Sequence, residues 1–361
     1  MIKSLLNVRE KDVMAVVQSF NMTDTYFPTI FPVKERKSLN WGAIENVASV
    51  KRAANAVAFG TSIKETDRPG VQKFTGELCK IAEKVKMDET ELYEYLEMYE
   101  NAKSDADLAI LVDYWRNDYK ICYDNVINRI EWMALQSISH GKLRFTGENN
   151  YGEVTEADID YEMKHKVGYF GSAPWSDTEH AKPLSIDLKN AIKRLKDNRY
   201  NPKYIWMNTD TFYQFVSCKE VIEQCASFAQ NILGISSIPT LEAVNATLIR
   251  LGYLNGAQIV LIDQNIAVGT QDAENPFADN VVLITESNRL GETYWRKAID
   301  LEAQNPIISR VQNGIVTLKK YGIEEPYCEM TQGVAVAFPV WTSSTSSLLL
   351  DVKNNTWKEG K

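Results

Sequence analysis

Histidine and cysteine are scarce in this chain, with three of the first and five of the second among 361 residues. His140, His165 and His180 fall into no HExxH or Cys/His spacing, so a zinc or iron centre has no ligand set to stand on. Cys79, Cys122, Cys218, Cys225 and Cys328 are odd in number, scattered and without a CxxC pair. That pattern fits free, buried thiols in a reducing compartment better than a secreted disulfide framework. A surplus of positive charge is missing too. Lys and Arg number 40 against 48 Asp and Glu, and the net charge of -8 gives no overall basic field for tight, sequence-reading contact with nucleic acid. No apolar run is long enough to cross a membrane, and the opening residues MIKSLLNVREKD carry charges where a signal peptide needs an apolar core, so export is not expected. GxSxG, Walker and strand-borne GxGxxG motifs are absent, which leaves hydrolase, nucleotidase and dehydrogenase chemistry without its signatures. The chain has no internal repeat.

What the chain does have is apolar material for a core, 44% of its residues, over a length that suits one large or two ordinary domains. Its strongest periodic signal is residues 104–141. Leu108, Leu111, Val112, Trp115, Tyr119, Cys122, Val126, Ile130 and Met133 recur at three-and-four spacing, which makes one apolar stripe on a helix. Ser104 and Asp107 form a capping box at one end and Gly141 supplies a left-handed stop at the other. Such a helix is about 54 Å long at about 1.5 Å per residue. Its polar face, Asp113, Arg116, Asn117, Asp118, Lys120, Asp124, Asn128, Arg129 and Glu131, excludes a membrane span, and no strict 3.5-residue seam marks a coiled coil. A rigid strut lying along a sheet is the expectation.

In chain order, residues 9–20 read as a short amphipathic helix through Val13, Val16, Val17 and Phe20. In TYFPTIFPV, Pro28 and Pro32 disfavour regular structure and leave Phe27, Ile30 and Phe31 on an extended arm that cannot bury them alone. Residues 34–67 read as a long two-stranded excursion with Leu39, Trp41, Ile44, Val47 and Val50, a positive set including Lys51 and Arg52, and a turn at Arg68, Pro69 and Gly70. An isolated hairpin is marginal in water, so its surface calls for another copy of the chain. Residues 76–100 read as helical, with Asp88 as a cap. Residues 142–163 read as a hairpin, 171–183 as a loop, and Ser185 as the cap of a basic amphipathic helix.

From residue 203 the pattern is α/β: strand YIWMN, helices from Asp210 and from Lys219, then VNATLIRLGY, AQIVLID and NVVLITES as strands. Residues 306–340 return to strand composition, and GVAVAFPV suits a central strand. Residues 341–361, polar apart from Leu348 to Leu350, read as an extension or a partly disordered tail. The fold class is α+β.

Candidate chemistry is thin. WSD at residues 175–177 and DID at 158–160 offer carboxylates without a partnered base or nucleophile, and turn or strand-edge roles account for them. Lys189, Lys193, Arg194, Lys196 and Arg199 form a basic helix face, but Asp187 and Asp197 lie among them and a solvated face suffices. Trp115, Trp132 and Trp206 sit where packing explains them.

The order of these segments carries a resemblance. TYFPTIFPV, RPGVQKFTGELCKIAEKV, IDYEM with APWSD and PLSIDL, PKYIWMNTDTFYQFV, LGYLNGAQIVLID with NPFADNVVLITESNRLGETYW, and EPYCEM with VAVAFPV together resemble the lambda-like capsid protein E family of tailed bacteriophages over residues 10–340. That resemblance implies the Hong Kong 97 capsid fold. Residues 1–33 would be the N-terminal arm, 34–71 the E-loop, and 72–182 the peripheral domain with its spine helix at 104–141. Residues 142–169 and 306–340 would supply its long sheet. The axial domain would cover 183–300, followed by a return to the peripheral domain at 301–340 and a tail at 341–361.

It implies no catalytic site, metal or cofactor, and a subunit that self-assembles as hexamers and pentamers around double-stranded DNA. Phe27, Phe31, Trp41, Lys51 and Arg52 would make inter-subunit contacts, while Trp115, Tyr119, Cys122, Val126 and Met133 would pack the spine helix on its own sheet. The implied partners are a portal, a decoration protein and a separate scaffolding protein, since no long charged coiled coil precedes residue 30. Assembly would take place in the host cytoplasm and the product would be the virion capsid. An encapsulin-like compartment of the same fold and an α+β enzyme are the alternatives.

Overall fold

The computed structural model describes residues 10–22, 24–46, 71–150, 158–226, 237–269, 272–301 and 309–358. The chain opens with α1 (Glu10–Gln18), α2 (Phe27–Ile30), β1 (Val33–Glu35), β2 (Asn40–Asn46), β3 (Val71–Glu77), β4 (Cys79–Met87) and α3 (Glu89–Asn101). The long helix α4 (Asp105–His140) follows, then β5 (Lys142–Leu143), β6 (Ile159–Asp160) and β7 (Lys166–Gly168). A π-helical turn (Pro183–Leu188) leads into α5 (Lys189–Asp197), β8 (Tyr204–Asn208), α6 (Thr209–Ser217), α7 (Lys219–Cys225) and α8 (Leu241–Arg250). The rest is strand: β9 (Gln258–Ile262), β10 (Val281–Thr285), β11 (Gly291–Arg296), β12 (Ser309–Asn313), β13 (Val316–Glu324), β14 (Tyr327–Trp341) and β15 (Leu348–Asp351).

Two sheets carry the architecture. The first has the order β1-β11-β14-β13-β12, with β4 also paired to β14; the second has the order β7-β15-β10-β8-β9. In the second sheet both faces are apolar, and the alternation of a strand sorts them between two cores. Trp206, Leu283 and Leu349 join the core around α4, while their neighbours Ile205, Met207, Val282, Ile284, Leu348 and Leu350 join the core under α5, α6 and α8. The sheet is thus the shared wall between the two cores.

The strut forms where it was expected. Ser104 and Asp107 close the capping box, and Gly141 ends the helix at φ 69° with its N–H on the Ser137 carbonyl. Its environment changes along its length. In the N-terminal half only one stripe is covered, including Leu111, Trp115, Tyr119, Cys122 and Tyr123, and Ile110, Val112 and Ile121 stay exposed. Past Val126 burial goes almost all round, taking in Ile130, Glu131, Trp132, Met133, Ala134, Leu135 and Ile138. A free opposite face therefore belongs to the first half alone; the second half is enclosed by the arm, the first sheet, β5 and the second sheet. At the crossing with β14 the approach is very close, because a Cβ built on Gly333 would lie 2.6 Å from the Cys122 carbonyl oxygen. Only glycine admits the helix at that distance.

Several expectations are corrected. Residues 79–87 are strand, not helix: Cys79, Ile81 and Met87 alternate with Lys80, Lys84 and Lys86, and the pairing with β14 runs from Met87↔Glu329 to Cys79↔Ala337. The helix proper starts at the Asp88 capping box. VNATLIR is helix, not strand, because the Thr240 hydroxyl caps it and Val244, Thr247 and Leu248 bury one face at helical spacing. Ser185 is no cap; it lies inside the π-helical turn and its hydroxyl donates to Glu220. TYFPTIFPV is not wholly extended, since Pro28 fits the first turn of α2.

Residues 142–169 do not supply the first sheet: β5 and β6 form a separate two-residue pair and β7 joins the second sheet. β11, inside the stretch expected to be axial, belongs to the first sheet. The C-terminal stretch is not a loose extension either. β15 inserts between β10 and β7 with Leu348, Leu349 and Leu350 fully buried, because a short apolar run covered on both faces is what a central strand requires.

Candidate assembly surfaces

The aromatic residues expected at contacts between copies lie inside their own chain. Phe27 and Phe31 are fully buried and Trp41 is 3% exposed. The reason is that the arm folds back: α2 and the residues after it lie on α4 and β11, and Phe31 comes within 2.9 Å of a Cβ built on Gly291. Trp41 stacks on Phe338 with ring centroids 5.6 Å apart, donates from Nε1 to the Glu77 carbonyl at 3.2 Å, and covers Gly76 so closely that a Cβ there would sit 2.6 Å from its ring. These three residues are roots, not contact tips. Lys51, Arg52 and the turn at residues 68–70 lie outside the described residues. Trp115, Tyr119, Cys122, Val126 and Met133 are all buried against the first sheet and its neighbours.

Glu131 holds the arm. It was expected on the polar face of α4, yet it is fully buried, and its carboxylate accepts from the backbone N–H of Tyr26 at 2.8 Å and of Phe27 at 2.7 Å. Those are the first free donors of α2, so one side chain of the strut serves as the cap that the arm lacks. Burial pushes the Glu131 carboxyl up to about 7, and the two N–H donors only partly offset it. Tyr26 continues the chain of contacts by accepting at its hydroxyl from Asp263 N–H at 3.1 Å. α1 is tied down at β12, where the Asn313 side chain donates to the carbonyls of Val17 (2.7 Å) and Phe20 (2.8 Å).

A second buried charge sits under the first half of the strut. Lys320 and Glu329, both completely buried, pair at 3.4 Å across β13 and β14. Beside them the Tyr119 hydroxyl lies 2.6 Å from that of Ser309. Burial raises the carboxyl of Asp118 on the neighbouring turn, while the Lys320 charge pulls it down. No periodicity signals this pair in the sequence. Glu131 was in principle legible, because it falls between Ile130 and Trp132 in an almost unbroken apolar run.

Among the described residues three exposed regions stand out. β1 is an edge strand: Pro32 accepts from Thr293 N–H and Arg36 N–H donates to the Trp295 carbonyl, so the peptide groups of Val33 and Glu35 point away from β11. Beside it a cleft of about 390 Å³ opens between Gly42, Arg289, Glu292, Tyr294, Thr342 and Ser343. Lys34 (2.8 Å) and Arg289 (3.0 Å) both pair with Glu292 there, and the Arg36 guanidinium lies 3.7 Å over the Tyr294 ring. The second group is apolar, Tyr93 on α3 with Ile110 and Ile121 on α4; the third is on the other lobe, Tyr213, Ile238 and Ile249.

Asp187 and the carboxylates of the WSD and DID segments are engaged in local structure. Asp187 accepts from Phe170 N–H, Gly171 N–H and Trp175 Nε1 at 2.7 to 2.8 Å. Asp177 pairs with His180 at 3.0 Å at the surface, and Asp158 accepts from Phe145 N–H at 2.8 Å. Among the described residues no three His, Cys, Asp or Glu side chains are grouped to hold a metal, and no helix is long and apolar enough to cross a membrane.

The model of the family described as phage major capsid protein E matches residues 20–303. No curated protein sequence matches the chain. Among solved structures, the chain is similar to a protein described as a prophage capsid protein from E. coli CFT073, at 14% identity and TM-score 0.57 over 96% of this chain and 99% of that one. It is also similar to a phage-related protein from Bordetella bronchiseptica RB50 (13% identity, TM-score 0.51, 98% and 99% covered). A third is the capsid of cyanophage A-1(L) (10%, 0.52, 93% and 94%). At these identities the likeness establishes the fold, a Hong Kong 97-type capsid fold.

Proposed function

This chain belongs to the phage major capsid protein E family, and from that premise we propose that its copies close into an icosahedral-type shell of hexamers and pentamers around a double-stranded DNA genome. It is a major capsid protein, a structural component and a member of a family of shell proteins. The single observation that carries this is the family match over residues 20–303, on a chain whose fold is that of phage capsids along nearly its whole length.

The finer organisation is part of the proposal. Residues 1–33 act as the arm, latched at Glu131. Residues 34–71 act as the E-loop, rooted at Trp41, with Lys51 and Arg52 reaching a neighbouring copy. α4 is the spine of the peripheral domain, whose sheet includes β4, β11 and β14. The axial domain is the second sheet with α5 to α8, and β15 of the 341–361 stretch is counted with it because it pairs with β10 and β7. Phe27, Phe31 and Trp41 act on assembly indirectly, by fixing where the arm and hairpin leave the core. A scaffolding protein and a portal are the partners that such a shell requires, a decoration protein would sit on its outside, and assembly would proceed in the host cytoplasm.

Negative-stain microscopy of the expressed protein tests the reading: rings or closed shells are expected, and a stable monodisperse monomer under all assembly conditions overturns it. Nuclease-protected genomic DNA inside particles from the source separates a genome shell from a protein-cargo compartment of the same fold, which the family match does not favour.

A further inference from the structure

We propose that the exposed face of α5, carrying Lys189, Lys193, Arg194 and Lys196, is the surface through which this subunit touches the phosphate backbone of double-stranded DNA, without reading its sequence. The inference rests on the genome-shell reading above and names the part of the subunit that meets the genome. In the sequence alone Asp187 and Asp197 dilute this face. The structure removes the first: Asp187 is fully buried and turned inward, with its oxygens on Phe170, Gly171 and Trp175. Glu220, the next carboxylate in contact with this segment, is also buried and holds Leu184 and Ser185. Asp197 is left as the one carboxylate on α5 itself.

The helix is anchored so that the cations must face outward. Ala191, Ile192 and Leu195 bury one side, and Lys189, Lys193 and Lys196, spaced four and three apart, form a row on the other. None of the four basic side chains has an ion-pair partner among the described residues; Lys189 lies 5.3 Å over the Tyr253 ring. Some surface cations elsewhere, among them Lys34, Lys120 and Arg289, pair with carboxylates. Burial, followed by the charges of Arg194 and Lys164, holds the His165 imidazole below its ordinary value.

In a chain of net charge -8, a row of cations without carboxylate partners on one rigid face favours an anionic partner there. A regular polyanion such as duplex DNA fits it, since charge contacts of this kind need no base-specific geometry. Few contacts per subunit also suit a shell that must hold DNA and let it go.

Fluorescence anisotropy with a short random-sequence duplex tests this on the full chain, comparing the parent, Lys189→Gln/Lys193→Gln/Arg194→Gln/Lys196→Gln, and the charge-matched control Lys84→Gln/Lys86→Gln/Lys103→Gln/Lys353→Gln. Four phosphate contacts give a log–log salt slope of about 3 to 4, or about 100-fold in affinity between about 50 and 200 mM salt. The patch variant is expected to lose that slope and to bind at least about tenfold more weakly at about 50 mM, with the control close to the parent. Equal losses in both variants, or poly-glutamate binding the parent as well as DNA at matched charge, overturn the proposal. Thermal melts by circular dichroism establish that both variants are folded. Shell formation scored on the same preparations keeps the two readings apart: shells without patch-dependent DNA binding refute the patch alone, and patch-dependent binding without shells refutes the shell alone.

Discussion

Replacing Glu131 by glutamine makes the latch between arm and strut measurable. The Glu131 carboxyl titrates at about 7 in the fold against an ordinary 4.5, which corresponds to about 3 kcal/mol against the ionised form. Because the folded value is the higher one, the stabilising contribution of the proton is complete below about 4.5 and is lost as pH rises through about 7. Between pH 5.5 and pH 8 the parent therefore loses about 2 kcal/mol from this residue alone. Glutamine has no such dependence, but it keeps one acceptor where the carboxylate has two, so either Tyr26 or Phe27 N–H is left opposite an amide NH₂. That costs about 1–3 kcal/mol at every pH.

Urea denaturation of unassembled subunits at both pH values is the assay. At pH 5.5 the variant is expected to be the less stable protein, and its deficit is expected to shrink or reverse by pH 8. Taking the difference between the two proteins cancels the other carboxyls that burial raises, among them Asp118 and Asp187. A difference that stays constant with pH refutes the account of Glu131 as a buried carboxyl whose two N–H donors only partly offset its burial.

Gly333→Ala is expected to push α4 off β14, since its Cβ would meet the Cys122 carbonyl at 2.6 Å; a loss of about 1–3 kcal/mol in thermal or urea unfolding checks it, and an unchanged midpoint counts against the close crossing. Lys320→Met removes the buried cation that pairs with Glu329 and is expected to cost about 3–5 kcal/mol, while Lys320→Met/Glu329→Leu recovers most of it, as chemical denaturation of the two variants will tell. Deleting residues 48–69 is expected to leave a folded subunit, because the Trp41 root and the β2–β3 pairing remain, but to abolish stable shells in microscopy. Particles of ordinary stability from that deletion would show that the hairpin does not join copies.

The reach of the sequence followed the range of the interactions involved. Helix ends written in a few adjacent residues, such as Ser104 with Asp107, Asp88 with Glu91, and Gly141, were legible because capping is local chemistry. Residues 79–87 and 241–250 were misread because a short amphipathic segment satisfies either period until a partner selects one; β14 selects strand for the first, and the second core selects helix for the second. The arm residues failed differently. Phe27, Phe31 and Trp41 have no local partners, so a copy of the chain looked necessary, whereas the fold brings α4, β11 and Phe338 to them from more than a hundred residues away.

The sequence by itself determined the long capped strut, the α/β character of residues 203–285, the central strand at the end of the 306–340 segment and the absence of any motif for chemistry, all of which are properties of neighbouring residues or of composition. The family resemblance, too, was carried by the order of short segments. Tertiary structure alone decided that the second half of the strut is enclosed, that Glu131 caps a helix lying a hundred residues upstream, that Leu348 to Leu350 complete a sheet, and that Asp187 turns away from the basic face of α5. Each of these depends on which distant segment arrives to cover a side chain, and burial by a distant segment leaves no periodicity in the sequence it covers.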